Sequence, residues 1–358
     1  MRSTVAPIVH EPGDAHIDFG NLAPTPRVVL SVRTAMSPTY RSMLKPLEVE
    51  ELIDLAVHRP LAWGITRAVY ATPVTPDQLT VVSMLIGVAA GACVWSSFLT
   101  GAAHLRLAGF LFILSAVFDC SDGQLARARQ TSSTFGRMLD GMVDTVVQLA
   151  VVPGAIAHVW WRHGGASPGV PPLDVRAGSL SAYGWLALGA FAVWSGAQHT
   201  AVYDHFKNVY LHHILPHRKE GDDVEDLDAH DPRVLGALLR WIKTYAYRPY
   251  ILRQRRLLAW IDPLVPARFR DMAPYTEAGA ARFRGLYRSV MRAWSFYGIG
   301  THIFGLGVAL AFDQVEVYIV ARALVFNLGL VALIPAQRRA SREFFRPPAP
   351  HPTPPTEI

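Results

Sequence analysis

Long apolar segments constrain the fold of this chain more than any other feature. A helix crosses the ~30 Å hydrocarbon core of a bilayer with about 20 residues. Six segments approach that length: 79–99, 104–118, 138–160, 181–202, 294–312 and 315–335. Only 17% of the residues are charged, whereas soluble proteins carry about a quarter. The sequence therefore predicts an all-α integral membrane protein with about six transmembrane helices, the first of which starts with Thr75 as N-cap and Pro76 in its first turn.

The sequence between and around these segments divides the chain into six parts. Residues 1–43 are expected to be loosely ordered. Residues 44–72 have an amphipathic pattern that predicts a juxtamembrane helix on the membrane surface, with a helix packed on protein as the alternative. Residues 73–203 contain spans one to four, and 204–292 form a polar helical insert. Residues 293–337 contain spans five and six, and 338–358 are a basic and then Pro-rich tail.

Basic residues predict the orientation of the spans, because cytoplasmic loops are enriched in Lys and Arg. Arg127, Arg129 and Arg137 lie between spans two and three, the insert holds sixteen Lys and Arg residues, and four Arg follow span six. All these regions fall on one side of a six-span topology. We therefore expect the insert, both termini and the 119–144 region to face the cytoplasm, in the cytoplasmic membrane. The same bias explains the net charge of +6, so no nucleic-acid partner is expected.

Four aspartates occupy a fixed register at the edge of the apolar segments. The register is Asp119-x-x-Asp122-Gly123-x-x-Ala126-Arg127, eight residues, then Gly136-x-x-x-Asp140-x-x-x-Asp144. Residues three or four apart share one helix face, so a turn after Asp122 would bring two carboxylate pairs together. Without nearby lysines these carboxylates would repel one another. Mg²⁺ or Mn²⁺, which prefer oxygen ligands and carry phosphate substrates, would relieve that repulsion, and two ions ~4 Å apart could clamp a pyrophosphate.

The other residues of the register suit a phosphate ligand. Gly123 and Gly136 leave room for phosphate oxygens or a nucleotide near the backbone, and the planar guanidinium of Arg127 can bind a phosphate with two hydrogen bonds. The alternative is that the aspartates cap helices or pair with neighbouring arginines.

The register is similar to the signature of the CDP-alcohol phosphotransferase family, D-x-x-D-G-x-x-A-R-x8-G-x3-D-x3-D, and every signature position is filled. The stretch Thr75-Pro76-Asp77-Gln78-x-Thr80 also resembles that family's T-P-N-x-x-T, with Asp77 where Asn is usual. The resemblance covers residues 72–203 well and the last two spans loosely.

The resemblance implies an enzyme that transfers a phospho-alcohol group from a CDP-linked donor to an acceptor hydroxyl and releases CMP. It implies that Asp119, Asp122, Asp140 and Asp144 bind two divalent metal ions, Mg²⁺ or Mn²⁺, that hold the CDP pyrophosphate. It further implies that Gly123, Ala126, Arg127 and Gly136 shape the CDP site, and that Asp144 deprotonates the acceptor. The implied partners are the donor, the acceptor and membrane lipids, and a homodimer is left open.

The sequence leaves the acceptor open. Family members that use phosphorylated acceptors often carry Lys or Arg directly after the last aspartate, and this chain has Thr145. Conversely, Arg137 or Lys207 is available to a phosphate, and residues 45–76 weakly resemble members that handle inositol phosphate. The polar end of span four is either part of acceptor recognition or a solvated helix end; its residues are His199, Tyr203, Asp204, His205, Lys207 and Asn208.

Two other functions fit membrane carboxylates. A transporter would use them to carry ions, near mid-membrane and within repeated halves, whereas these aspartates lie at one face and no repeat is evident. A catalytically silent scaffold would tolerate a replaced aspartate, and none is replaced.

Overall fold

The computed structural model describes residues 40–131, 134–164, 180–215, 244–245, 248–266 and 271–345. Every regular element in these ranges is helical. We number the helices α1 Arg59–Val69, α2 Pro76–Thr100, α3 Ala102–Arg129, α4 Thr134–Arg162, α5 Ala182–Ile214, α6 Arg248–Ile261, α7 Glu277–Trp294, α8 Ile299–Ala311, α9 Val315–Val320 and α10 Phe326–Phe344. A π-helical turn, Ala321–Val325, joins α9 to α10, and another, Asp54–His58, precedes α1. The predicted N-terminal segment and Pro-rich tail lie almost entirely outside the described residues.

Four helices of the described chain are long and apolar enough to cross a membrane: Pro76–Thr100, Ala102–Arg129, Leu139–Arg162 and Val315–Phe344. The all-helical membrane fold is thus confirmed, while the count of six spans stays a prediction. The predicted fifth span is interrupted by a 3₁₀ turn at Ser295–Tyr297, which leaves an apolar helix of 13 residues, α8. The predicted fourth span is the first part of α5, where polar residues such as Gln198 and His199 dilute the apolar sequence.

Local signals at the helix ends agree with the sequence. Thr75 caps α2 through a reciprocal pair of bonds, in which Gln78 N donates to Thr75 Oγ1 (3.3 Å) and Thr75 N donates to Gln78 Oε1 (3.0 Å). Pro76 occupies the first turn, as expected. α3, in contrast, does not stop at residue 118 but continues through Gly123 to Arg129, and ends where Gln130 adopts a left-handed conformation (φ 57°). The turn before α4 is therefore shorter than the sequence suggests.

The membrane helices pack closely where glycines face each other. A Cβ on Gly109 of α3 would lie directly against the carbonyl oxygen of Gly307 on α8. Small residues at helix contacts let backbones approach in a membrane, where the hydrophobic effect between helices is weak. One buried cluster fills the centre of these helices and includes Leu105, Phe112 and Leu310.

The second part of α5 forms another core with the insert. α5 runs unbroken to Ile214, across the predicted boundary between residues 203 and 204. There Phe206 and Tyr210 pack with Phe283 and Trp294 of α7. The insert helices therefore continue the membrane bundle at this end of α5.

The segment before α2 packs against the end of α3. Thr66 of α1 donates a hydrogen bond to the Ser121 carbonyl (3.2 Å), and Gln124 Nε2 donates to the Arg59 carbonyl (3.0 Å). Arg129, at the end of α3, donates to four carbonyls of the turn between α1 and α2: Val69, Tyr70, Thr72 and Val74. These contacts hold the segment over the aspartate-bearing end of α3, as in the protein-packed alternative; its position on a membrane surface stays a prediction.

Candidate active site

The four aspartates meet where α3 and α4 come together. Asp119 and Asp122 lie one turn apart on α3, and Asp140 and Asp144 lie one turn apart on α4. Oxygens of Asp119, Asp122 and Asp140 all lie within 4.8 Å of one another. Among nearby charges, that of Asp144 acts most strongly on Asp119. The helix register inferred from the sequence thus brings Asp119, Asp122 and Asp140 into one cluster, and Asp144 acts on this cluster through its charge.

The donor atoms of this cluster fit a hard divalent cation. Asp119 Oδ1 is buried and has no hydrogen-bond partner in the part of the chain that the structure describes. The Asp119 and Asp140 carboxyl groups lie within hydrogen-bond reach of each other. A buried carboxylate oxygen without a partner is costly, and oxygen-only ligand sets suit Mg²⁺ or Mn²⁺. The cluster therefore has the composition and spacing of a metal site.

Basic side chains from distant parts of the chain also act on the cluster. The charges of Lys45, Arg59 and Lys207 all reach Asp140. These residues are at least 67 positions from Asp140 in the sequence, but the fold brings their charges close to it. The prediction that no lysine lies near the aspartates is therefore wrong. No local pattern in the sequence identifies these basic residues.

Thr80 of α2 holds Asp122 in place. Its hydroxyl donates a hydrogen bond to Asp122 Oδ2, and Thr80 is only 3% exposed. The capping box at Thr75 fixes where α2 begins and so places Thr80 one turn inside the helix. Hydrogen bonds to metal-binding carboxylates orient them toward the ion. The sequence motif included Thr80, but the spacing alone assigned it no role.

The candidate CDP-binding residues lie at the end of α3 and the start of α4. A Cβ on Gly123 would stand 3.3 Å from Nη1 of Arg127, so the guanidinium covers this glycine. Arg127 Nε donates to the Met43 carbonyl (2.6 Å). The Ala126 carbonyl accepts from Thr131 N (2.9 Å) and closes the end of the helix. Gly136 lies in the first turn of α4. Their contact with CDP stays a prediction, and the side chain of Arg137 lies outside the described residues.

A second group of acidic residues lies beside Asp144. The charges of Asp204 and Asp54 both act on Asp144. Asp54 Oδ1 lies 2.9 Å from Nδ1 of His58, which is fully buried. Glu51 is 6% exposed, and burial together with the charge of Asp54 raises its pKa from 4.5 to about 8. No local pattern in the sequence marks this group, because Glu51 and Asp54 belong to one segment and Asp204 belongs to another.

The polar end of α5 is built into the protein. His199, Tyr203 and His205 are 1%, 3% and 3% exposed, so the solvated-end alternative is wrong for these three. Tyr203 donates to the Val49 carbonyl (2.6 Å). Lys207 Nζ lies 2.5 Å from Asp204 Oδ1. This end of α5 therefore forms one wall beside Asp144.

The part of the chain that carries the aspartate cluster matches a known protein family. Residues 73–192 match the family model described as CDP-alcohol phosphatidyltransferase. This range includes all four aspartates, Thr80 and the candidate CDP-binding residues. It excludes Glu51, Asp54 and Lys207.

Curated relatives match over parts of their length. The chain is 37% identical over 105 residues to a phosphatidylinositol phosphate synthase of Mycobacteroides abscessus, which covers 29% of this chain and 42% of that protein. It is 42% identical over 74 residues to a bifunctional IPC transferase and DIPP synthase of Thermococcus kodakarensis, covering 21% and 16%. A phosphatidylinositol phosphate synthase of Corynebacterium glutamicum is 37% identical over 95 residues, covering 25% and 36%. The chain thus spans less than half the length of each of these relatives.

Proposed function

We propose that this chain, which carries a CDP-alcohol phosphatidyltransferase domain at residues 73–192, transfers a phospho-alcohol group from a CDP-linked donor to an acceptor hydroxyl in phospholipid biosynthesis. The observation that carries the proposal is the cluster of Asp119, Asp122 and Asp140 beside Asp144, in a complete family register. A phosphatidyl group, carried by CDP-diacylglycerol, is the proposed moiety, because the domain lies in a membrane protein.

The aspartates would hold Mg²⁺ or Mn²⁺ in this reaction. Asp119, Asp122, Asp140 and Asp144 are the proposed ligands, with Thr80 fixing the Asp122 carboxylate. When bound, the metal supplies positive charge for the pyrophosphate of the donor. Arg127, whose charge acts on Asp122, is the proposed ligand of a phosphate oxygen of CDP, and Gly123 and Gly136 are proposed to leave backbone space for the nucleotide.

Asp144 is the proposed base. It takes the proton of the acceptor hydroxyl, and the resulting oxygen attacks the phosphorus that carries the lipid or alcohol. A new P–O bond to the acceptor forms while the P–O bond to CMP breaks, and CMP leaves with the electron pair. Positioned proton transfer of this kind contributes a factor of about 10² to 10⁴ to the rate.

The protein is a membrane protein, and we propose the cytoplasmic membrane, with the cluster on the cytoplasmic side. Arg127 and Arg129 at the end of α3, together with the basic residues of the insert, support this orientation. Labelling of a single cysteine introduced at position 130, the exposed residue after α3, tests it. If an impermeant thiol reagent added outside intact cells labels this cysteine, the proposed orientation is contradicted.

The decisive test of the activity is CMP release by the purified full-length protein in detergent. The assay contains CDP-diacylglycerol, Mg²⁺ or Mn²⁺, and a panel of phosphorylated and unphosphorylated alcohols. Asp144→Asn, which keeps the size of the side chain, is expected to lower kcat by a factor of about 10² to 10⁴. Glu277→Gln, on the exposed first turn of α7, is the matched control and is expected to keep full activity.

Two results contradict the proposal. The first is no CMP release with any alcohol of the panel. The second is unchanged activity in Asp144→Asn while the folded fraction matches the wild type.

A further inference from the structure

Acidic residues from outside the cluster lie beside Asp144, the proposed base, which the acceptor hydroxyl must reach. The charges of Asp204 and Asp54 both act on Asp144. The charge of Asp54 also acts on Glu51, whose carboxyl group reaches the start of α8. We call Glu51, Asp54, Asp204 and the start of α8 the acceptor wall, a name that rests on the proposed function.

A carboxyl group of the chain itself fills the N-terminus of α8. Glu51 Oε2 accepts hydrogen bonds from Thr301 N (2.8 Å) and Thr301 Oγ1 (3.2 Å). The N-terminus of a helix is a ready site for an anion such as a phosphate, because its free N–H groups point outward. Here Glu51 takes the place that a phosphate of an acceptor would need.

Two glycines make room for this arrangement. A Cβ on Gly298 would lie directly against Glu51 Oε1, and a Cβ on Gly300 would lie directly against Asp54 Oδ1. The start of α8 is thus shaped around the two acidic side chains. The occupied helix end is part of the packing, and both carboxyl groups are buried.

Two basic residues near the wall, Lys207 and Arg59, already pair with acidic groups. Lys207 pairs with Asp204 (2.5 Å) and lies over the ring of Tyr203. Arg59 pairs with Glu50 (3.2 Å). A phosphate entering here would have to compete with resident carboxylates for each of these cations.

We infer that the acceptor is an alcohol without a phosphate group, and that Glu51 at the start of α8 determines this specificity. The wall favours a neutral polyol or an amino alcohol and disfavours a phosphate dianion, because the charges of Asp54 and Asp204 repel it and the Glu51 carboxyl group occupies the helix end. The family match over residues 73–192 does not include Glu51, Asp54 or Thr301. The relatives named phosphatidylinositol phosphate synthase therefore do not decide the acceptor of this chain.

The test compares matched pairs of acceptors with the full-length protein. The pairs are inositol with inositol 1-phosphate, glycerol with glycerol 3-phosphate, and serine with phosphoserine. For at least one pair we expect kcat/KM for the unphosphorylated alcohol to exceed that of its partner by about tenfold or more. A preference for the phosphorylated member in every productive pair overturns the inference while leaving the proposed function intact.

Variants of Glu51 separate its role from general stability. Glu51→Ala vacates the start of α8, whereas Glu51→Gln keeps a side chain of the same shape there. We expect Glu51→Ala to lower the ratio of kcat/KM for the unphosphorylated alcohol to kcat/KM for its phosphorylated partner by about fivefold or more. The main cause should be a lower KM for the phosphorylated alcohol. Glu48→Gln is the control on the same segment, because Glu48 pairs with Arg284 instead (3.4 Å); its preference is expected to match the wild type.

A binding measurement makes the result independent of turnover. Calorimetric titration of wild-type protein with glycerol 3-phosphate and inositol 1-phosphate is expected to show no binding tighter than about 1 mM, equivalent to 4.1 kcal/mol. Tighter binding overturns the inference, as does an unchanged preference in both folded Glu51 variants. If no alcohol yields CMP, the proposed function fails and the inference fails with it.

Discussion

Replacing Thr80 by Val removes the hydroxyl that donates to Asp122, a ligand of the proposed metal site, and that also lies 3.2 Å from the Pro76 carbonyl oxygen in the first turn of α2. The Thr80 hydroxyl donates to Asp122 Oδ2 in a buried setting, with Thr80 3% exposed. Valine has nearly the same shape, so no cavity forms and no water replaces the hydroxyl. The variant therefore isolates the contribution of this bond to the orientation of Asp122.

The size of the effect follows from the charge of the acceptor. A hydrogen bond to a charged group contributes about 1.5–3 kcal/mol, and about 1.36 kcal/mol corresponds to a factor of ten. We therefore expect Thr80→Val to raise the Mg²⁺ concentration for half-maximal CMP release by about 10- to 100-fold. Loss of a residue that hydrogen-bonds a metal ligand typically has an effect of this size. At saturating Mg²⁺, kcat should recover to within about threefold of the wild type, since Thr80 touches no reacting atom.

The assay is a Mg²⁺ titration of CMP release at fixed donor and acceptor concentrations. Thr80→Ser keeps the hydroxyl and is expected to restore the wild-type midpoint, whereas a purely structural role would weaken both variants through stability. An unchanged Mg²⁺ midpoint in folded Thr80→Val refutes the orientation argument. So does a loss of kcat that excess Mg²⁺ leaves uncorrected.

Three further predictions concern packing, pH and metal removal. Gly109→Ala places a methyl group against the Gly307 carbonyl and is expected to destabilise the protein by about 1–3 kcal/mol in denaturant titrations. The control Gly285→Ala, with open space around it, should stabilise the protein by about 0.5–1 kcal/mol. Equal effects of the two substitutions would contradict the close approach of Gly109 and Gly307. Burial and Asp54 raise the pKa of Glu51 from 4.5 to about 8, so its contribution to stability is complete below pH 4.5 and is lost as the pH rises through 8. The melting temperature of the wild type should therefore fall relative to Glu51→Gln between pH 5 and 9, and a constant difference would exclude the raised pKa. Chelation with EDTA should abolish CMP release and added Mg²⁺ or Mn²⁺ should restore it; full activity after exhaustive chelation would exclude the metal mechanism.

The sequence predicted those features that depend on local spacing. The cap at Thr75 and the two aspartate pairs follow from contacts between residues three or four apart, and the structure contains them. The second span was predicted to end near residue 118, with the turn following Asp122. The helix instead continues to Arg129, since Asp, Gln and Arg are tolerated in a helix whose polar face packs on α1.

The features that the sequence missed depend on contacts between distant segments. Thr301 and Glu51 are 250 residues apart and meet only because the segment before α1 packs across the start of α8. No periodicity marks Glu51, and its neighbours in sequence are also acidic. Burial, which distinguishes Glu51 from Glu48, is a property of the fold.

The division between the two sides of the site limits what a family resemblance can transfer. The aspartates, Thr80 and Arg127 lie within residues 73–192, where the chain matches the family, so the donor chemistry rests on a shared arrangement. Glu51 and Thr301, which shape the acceptor wall, lie outside that range. The two sides meet at Asp144, the proposed base. The proposed acceptor specificity therefore depends on residues that the family signature does not contain, and it follows from their charge and packing.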